Sequence, residues 1–189
     1  MSHNFCIAPM IDVTNRHCRF FFRKFSKYAR LYTEMVVADS IIFGNKDFLL
    51  GFDEVEHPVA LQIAGSDPKT LSQAAVIGEQ YGYDEINLNI GCPSKRVQAG
   101  NFGACLMADP KLVSECVESI KEKVKIPVTI KCRIAIDDYN PDEMLTEFVE
   151  TTKKTGVSTF IIHARKAMLD GLDPKQNREI PPLDYDIVR

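Results

Sequence analysis

Short apolar runs alternate along this chain with longer stretches whose apolar residues recur at helical spacing. The runs at 5–10, 31–35, 58–64, 84–90, 127–133 and 158–163 predict strands, and the stretches 16–28, 66–81, 109–124 and 141–155 predict helices. The clearest helix places Leu112, Val113, Cys116, Val117, Ile120 and Val124 on one face. Punctuation agrees with the pattern. Asp67-Pro68, Asp109-Pro110 and Asn140-Pro141 each set a capping side chain before a proline suited to the first helical position. Gly82 and Gly156 fall near helix ends, where a left-handed residue is easiest for glycine. The strands are almost continuously apolar, as parallel strands covered on both faces are.

Alternating strands and helices over residues 1–189 imply an α/β fold. An open doubly wound sheet and a closed (β/α)8 TIM barrel both satisfy the pattern. With six strands and about five helices, a barrel reading is incomplete, since a barrel needs eight of each and roughly 250 residues. No repeat, linker or low-complexity segment interrupts the chain.

Composition narrows the picture only a little. A chain that is 45% hydrophobic and 26% charged is ordinary for a globular domain. Its formal charge of -3 means that any nucleic-acid contact must come from a local basic patch. No stretch approaches the roughly 18 apolar residues of a membrane span. MSHNFCIAPM has no basic segment leading into an apolar signal core, so a cytoplasmic location is the expectation. The six cysteines form no CxxC pair and suggest neither a disulfide framework nor a metal site. Most are expected to be small buried apolar residues.

The candidate chemistry collects at strand ends, where parallel α/β folds build their sites. Those ends carry Pro9-Met10, Glu34-Met35, Gln62, Asn87 and Asn89, Gly91-Cys92-Pro93-Ser94, Lys131 and Arg133, and His163 and Arg165. Cys92 reads either as a buried thiol in a turn or as a proton donor on a loop, since an ordinary thiol of pKa about 8.5 is mostly protonated at neutral pH. Lys131 and Arg133, two apart on a strand, share a face and call for an anion or an electron-rich ring unless that strand edge is solvated. Gln62 in an apolar strand needs partners, from neighbouring backbone or from a ligand, because a buried amide without them costs about 1–3 kcal/mol. His163 alone is unremarkable and gains weight from its position. Lys166, Lys175, Arg178 and Arg189 follow the last strand, where they either face solvent or meet phosphates.

These residues sit in segments that closely resemble the tRNA-dihydrouridine synthases. The matching stretches are APMIDVTNRHCR (8–19), LYTEMV (31–36), HPVALQIAGSDP (57–68), GYDEINLNIGCPSKRVQAGNFGACLM (82–107), PVTIKCRIAIDD (127–138) and FIIHARKAMLDGLDPKQNREIPPLDY (160–185). INLNIGCP marks the wider family, whereas HARKA and NREIPPLDY resemble its A-type branch. The resemblance implies an N-terminal FMN-binding (β/α)8 barrel followed by a helical tRNA-binding domain. It implies that Pro9, Met10 and Ile11 contact the flavin and that Gln62, Lys131 and His163 hold its ring. Cys92 would be the catalytic proton donor. Asn89 and Arg133 would hold the uracil, and Arg165, Lys175 and Arg178 would meet substrate tRNA. The implied activity is NADPH-driven reduction of D-loop uridines, at positions 20 and 20a, to dihydrouridine.

Two departures from the family pattern stand out. Ala135 occupies a position where the pattern has glycine. The chain also lacks the seventh and eighth strands and the helical domain, as a truncated gene, a partial sequence or an engineered fragment would. Alone it is therefore expected to bind FMN weakly and to show little activity. The competing expectations are an FMN barrel acting on a small pyrimidine, and an inert or RNA-binding fragment.

Overall fold

The computed structural model describes residues 4–189; residues 1–3, the start of the stretch read for a signal, lie outside the described residues. The first part of the chain forms β1 (Cys6–Ile7), α1 (Arg16–Phe25), β2 (Arg30–Tyr32), β3 (Val36–Val37), α2 (Ala38–Phe43) and α3 (Lys46–Leu50). The central units are β4 (Val59–Ala64), α4 (Pro68–Gln80), β5 (Glu85–Ile90), α5 (Lys95–Ala99) and α6 (Pro110–Lys121). Then come β6 (Val128–Arg133), α7 (Pro141–Thr152), β7 (Phe160–His163) and α8 (Gln176–Glu179).

All the strand pairings are parallel, in the order β1-β2-β4-β5-β6-β7. The short β3 pairs with Ile63 and Ala64 just beyond the point where β2 pairs with Val59 and Ala60, so the two form one interrupted strand position. This order settles the architecture. A doubly wound sheet reverses direction at a switch point; here each strand position lies beside its predecessor, as in a (β/α)8 barrel, of which the described residues show six positions.

The alternation within the strands separates two environments. Leu61, Ile63, Ile86, Leu88, Ile90, Ile130 and Cys132 belong to the apolar core shared with α4, α6 and α7. Each buried large aliphatic side chain there contributes about 1.5–3 kcal/mol. Gly78 lets α4 lie close on the sheet, since a Cβ there would stand 2.6 Å from Leu61 Cδ2. The opposite face of the same strands carries Arg30, Tyr32, Gln62, Glu85, Asn87, Asn89, Thr129 and Arg133, all buried. Barrel interiors are usually filled by branched apolar residues; this one is polar.

The predicted caps form. Asp67, Asp109 and Asn140 accept from the backbone N–H groups of Thr70, Leu112 and Asp142. Gly82 and Gly156 adopt φ of 93° and 81°. Four expectations need correction. The strand predicted at 5–10 ends at Ile7, because Pro9 has no N–H to donate and the Met10 carbonyl turns to accept from Val13 and Thr14. The strand predicted at 31–35 breaks after Tyr32, where Thr33 Oγ1 replaces a backbone carbonyl in accepting from Gln62 N. The helix predicted over 16–28 stops at Phe25, and Ser26 Oγ then accepts from the N–H groups of Tyr28 and Ala29. Of the six cysteines, only Cys116 and Cys132 are buried; the others are partly exposed, and all are free thiols.

Candidate active site

A cavity of about 1070 Å³ opens at the carboxyl ends of the strands. Pro9, Met10, Ile11, Gln62, Asn89, Cys92, Lys131, Arg133, His163, Lys175 and Arg178 all line it. Arg165 does not; its guanidinium donates to the Pro181 carbonyl and so braces the segment after β7.

Cys92 sits in a loop held from several directions. Gly91 N and Cys92 N both donate to Asn89 Oδ1, at 3.1 and 3.0 Å. Arg133 Nε donates to Gly91 O, and Ala104 N to Cys92 O. Gly103 is needed where the chain passes this loop: its φ is 77°, and a Cβ there would lie 2.6 Å from Cys92 O. Cys92 is only partly buried and lines the cavity, which favours the loop reading over a buried turn. Cys116 and Cys132 are buried, and burial pushes both thiols up to about 12.

The Gln62 side chain bonds two neighbouring carboxamides. Its Nε2 donates to Asn87 Oδ1 at 2.7 Å, and its Oε1 accepts from Asn89 Nδ2 at 2.9 Å. These side-chain partners take the place of the backbone alternative and leave hydrogens free for a ligand. Each of the donor nitrogens uses one of its two hydrogens in these bonds. Arg133 is similarly committed inside the protein, donating to the carbonyls of Gly91, Lys166 and Asn177.

Several contributors were not picked out from sequence. Asn177, fully buried, holds the loop before it: its Oδ1 accepts from Met168 N, and its Nδ2 reaches the carbonyls of Met168, Leu172 and Asp173. That bracing carries the exposed Lys175 and Arg178 to the cavity rim. Glu34, already noted at a strand end, accepts from Asp12 N at 2.7 Å and ties the loop after β1 to the second strand position. Arg16 and Arg96 join Lys175 and Arg178 at the lining, against the carboxylates Asp12, Glu34 and Asp173, so the cavity has a cationic excess that the acidic whole chain lacks. Spacing could not reveal these residues, because the contacts arise between segments far apart in sequence.

Burial and neighbouring charge set the ionisation of the basic groups. Burial, followed by Arg133, brings the Lys131 ammonium down to about 8, so it is mostly charged at neutral pH. Burial, followed by Arg133 and Lys131, lowers His163 to about 3 and leaves a neutral imidazole. His163 should therefore show no NMR titration of its ring protons between pH 5 and 8, where an unperturbed imidazole titrates near ~6.5. A midpoint inside that window would remove the basis for a neutral role. The sign of the linked stability follows. The unfolded chain takes up this proton first, so the contribution of His163 to stability falls as pH drops from about 6.5 towards 3.

Fold and site together define an incomplete barrel-type α/β domain whose strand ends bring a thiol, paired carboxamides, a lysine and a neutral histidine to one cavity. The chain belongs to the dihydrouridine synthase family, whose model matches residues 6–189. It is similar to proteins named tRNA-dihydrouridine(20/20a) synthase. With that of Vibrio parahaemolyticus it is 58% identical over 180 residues, covering 95% of this chain and 55% of the relative. With that of Shewanella oneidensis it is 55% identical over 188 residues, covering 100% and 56%. With that of Escherichia coli K12 it is 57% identical over 185 residues, covering 97% and 53%. The chain thus spans about half the length of the curated relatives it matches. Among the described residues no helix is long and apolar enough to cross a membrane, and no cluster of His, Cys, Asp and Glu suited to a metal ion occurs.

Proposed function

We propose that this chain is the catalytic barrel segment of a cytoplasmic, FMN-dependent enzyme that reduces uridines 20 and 20a of the tRNA D-loop to 5,6-dihydrouridine with NADPH. The observation that carries the reading is the meeting of Cys92, Asn89, Gln62, Lys131 and His163 in one cavity with a cationic rim. The cavity suits a flavin and a base together. It has the size of a cofactor pocket, and the spare N–H hydrogens of Gln62 and Asn89 match the carbonyl edges of planar rings.

FMN, when bound, supplies the hydride for C6 of the uracil. Gln62, Lys131 and His163 would hold its ring system, and Pro9, Met10 and Ile11, which line the same cavity, would contact it. The Lys131 ammonium would favour a negatively charged ring by opposite charge, and the neutral His163 would offer hydrogen bonding without adding a second cation. Asn89 orients a uracil that has left the base stack. Cys92 gives its proton to C5. Lys175 and Arg178, exposed at the rim, meet tRNA phosphates. Arg133 serves the uracil indirectly, by clamping the Cys92 loop to the segment that carries Arg178.

The decisive experiment exchanges this chain for the matching segment of the Escherichia coli relative and supplies FMN, NADPH and unmodified tRNA. Mass spectrometry of nuclease fragments of the tRNA is expected to find dihydrouridine at D-loop positions 20 and 20a. A folded, flavin-loaded chimera that leaves tRNA unchanged but oxidises its flavin with free pyrimidines would replace this reading with a small-molecule one.

A further inference from the structure

An unbroken file of side-chain hydrogen bonds connects the buried Arg30–Glu85 pair with the Cys92 loop. Thr129 Oγ1 donates to Glu85 Oε1 at 2.6 Å, and Asn87 Nδ2 donates to Thr129 Oγ1 at 2.8 Å. Gln62 Nε2 donates to Asn87 Oδ1 at 2.7 Å, and Asn89 Nδ2 donates to Gln62 Oε1 at 2.9 Å. Gly91 N and Cys92 N then donate to Asn89 Oδ1. Gln62, Asn87 and Thr129 stand side by side in the register of β4, β5 and β6, so the file crosses three strands.

Each end of the file admits one polarity. At one end a carboxylate faces the Arg30 guanidinium at 3.3 Å and takes hydroxyl donors from Tyr32 and Thr129. At the other end are two backbone N–H groups, which can only donate. Between them every carboxamide must turn its nitrogen towards Glu85 and its oxygen towards Cys92. Reversing any one of them would set nitrogen against nitrogen or oxygen against oxygen in a buried site, at the cost of a lost hydrogen bond on either side. Aligned bonds of this kind also polarise one another.

We propose that Glu85, Thr129 and Asn87 are positioning residues that lock the orientation of the Gln62 and Asn89 carboxamides and, through Asn89, the backbone of the Cys92 loop. The lock has a consequence for ligand choice. Both lone pairs of Asn89 Oδ1 are taken by Gly91 and Cys92, and one hydrogen of Nδ2 is taken by Gln62. What Asn89 has left to offer the cavity is a single N–H. The ligand atom beside it must be an acceptor, such as a ring carbonyl oxygen, and never an N–H. This deepens the proposed function, and only its consequence for uracil rests on that reading.

The test uses the ligand-free 189-residue chain, so its outcome is independent of flavin or tRNA chemistry. In isotope-labelled protein, through-hydrogen-bond couplings are expected from Asn89 Nδ2 to the Gln62 side-chain carbonyl carbon and from Gln62 Nε2 to that of Asn87. In Thr129→Val, which keeps shape and removes the hydroxyl, the Gly91 and Cys92 amides are expected to exchange with solvent at least about tenfold faster. Thr129→Ser, which restores the hydroxyl, should return them to the wild-type rate. A coupling from Gln62 Nε2 to the Asn89 side-chain carbon would overturn the proposal. So would Thr129→Val exchange within about twofold of wild type. If Thr129→Val does not fold, the coupling sense in the wild-type chain decides. Intact couplings with an inactive chimera would count against the function and leave the positioning role standing.

Discussion

Replacing Cys92 with alanine is expected to lower dihydrouridine formation by about 10²–10⁴-fold, the range typical of a lost general acid, while flavin affinity stays essentially unchanged. The split between the two readouts is the informative part. Cys92 lines the cavity from a loop whose backbone is pinned by Asn89, Arg133 and Ala104, so truncating the side chain leaves the loop in place. Gln62, Lys131 and His163, assigned to the flavin, belong to other strands. Cys92→Ser should recover little, because an alcohol is a much weaker acid than a thiol. The measurement is single-turnover oxidation of the reduced chimera by tRNA, with dihydrouridine counted by mass spectrometry. A loss smaller than about tenfold would show that another group supplies the proton.

The contrast between Cys92 and Gln62 shows what a sequence can disclose about such a site. Cys92 follows a strand directly, in a loop of glycine, proline and serine, and those residue types announce an exposed turn. The strand-end rule then places it with Lys131 and His163, and the structure brings all three to one cavity. Strand order was open between two architectures, because pairing is a non-local choice that alternating elements do not encode. Gln62 was legible as a polar residue in an apolar strand, but not its partners: Asn87 lies 25 residues away and Thr33 a further four on the other side, at 29. The same limit hid Asn177, whose segment reads as a polar tail until its carboxamide is seen closing the loop on itself. Arg165 shows the reverse limit. Its position after β7 suggested a place at the site, yet it does not line the cavity, and its Nη1 donates to the Pro181 carbonyl.

Short elements were lost for another physical reason. The helices α2, α3, α5 and α8 have 6, 5, 5 and 4 residues, too few for a periodic apolar stripe to emerge. They are held by their surroundings and not by propensity, since isolated helices of this length are unstable in water. Helix α5 nonetheless matters to the site, because Ser94 caps it immediately after the Cys92-Pro93 turn. Gln98 near its end donates to the carbonyls of Pro93 and Leu169, tying the thiol loop to the segment beyond β7.

Glu85→Gln is expected to be the most destabilising conservative change in the barrel interior, at about 3–5 kcal/mol, the usual cost of removing one charge from a buried pair. That corresponds to a fall in melting temperature on the order of 10 °C for a chain of this size. Side-chain exposure is 1% for Arg30 and 0% for Glu85, so water cannot replace the lost carboxylate. Glutamine keeps the volume and can still accept from Tyr32 and Thr129, so packing alone predicts almost no effect. The distinguishing control is Arg30→Met combined with Glu85→Gln. Removing both charges should recover much of the loss, because an apolar or neutral replacement of a buried pair is often close to neutral. Urea unfolding of the wild type, both single variants and the double variant would measure the coupling. A single-variant loss below about 1 kcal/mol would place the pair in the weak class of solvated ion pairs. The Glu85 carboxylate would then be a poor anchor for the hydrogen bonds that lead from it to Cys92.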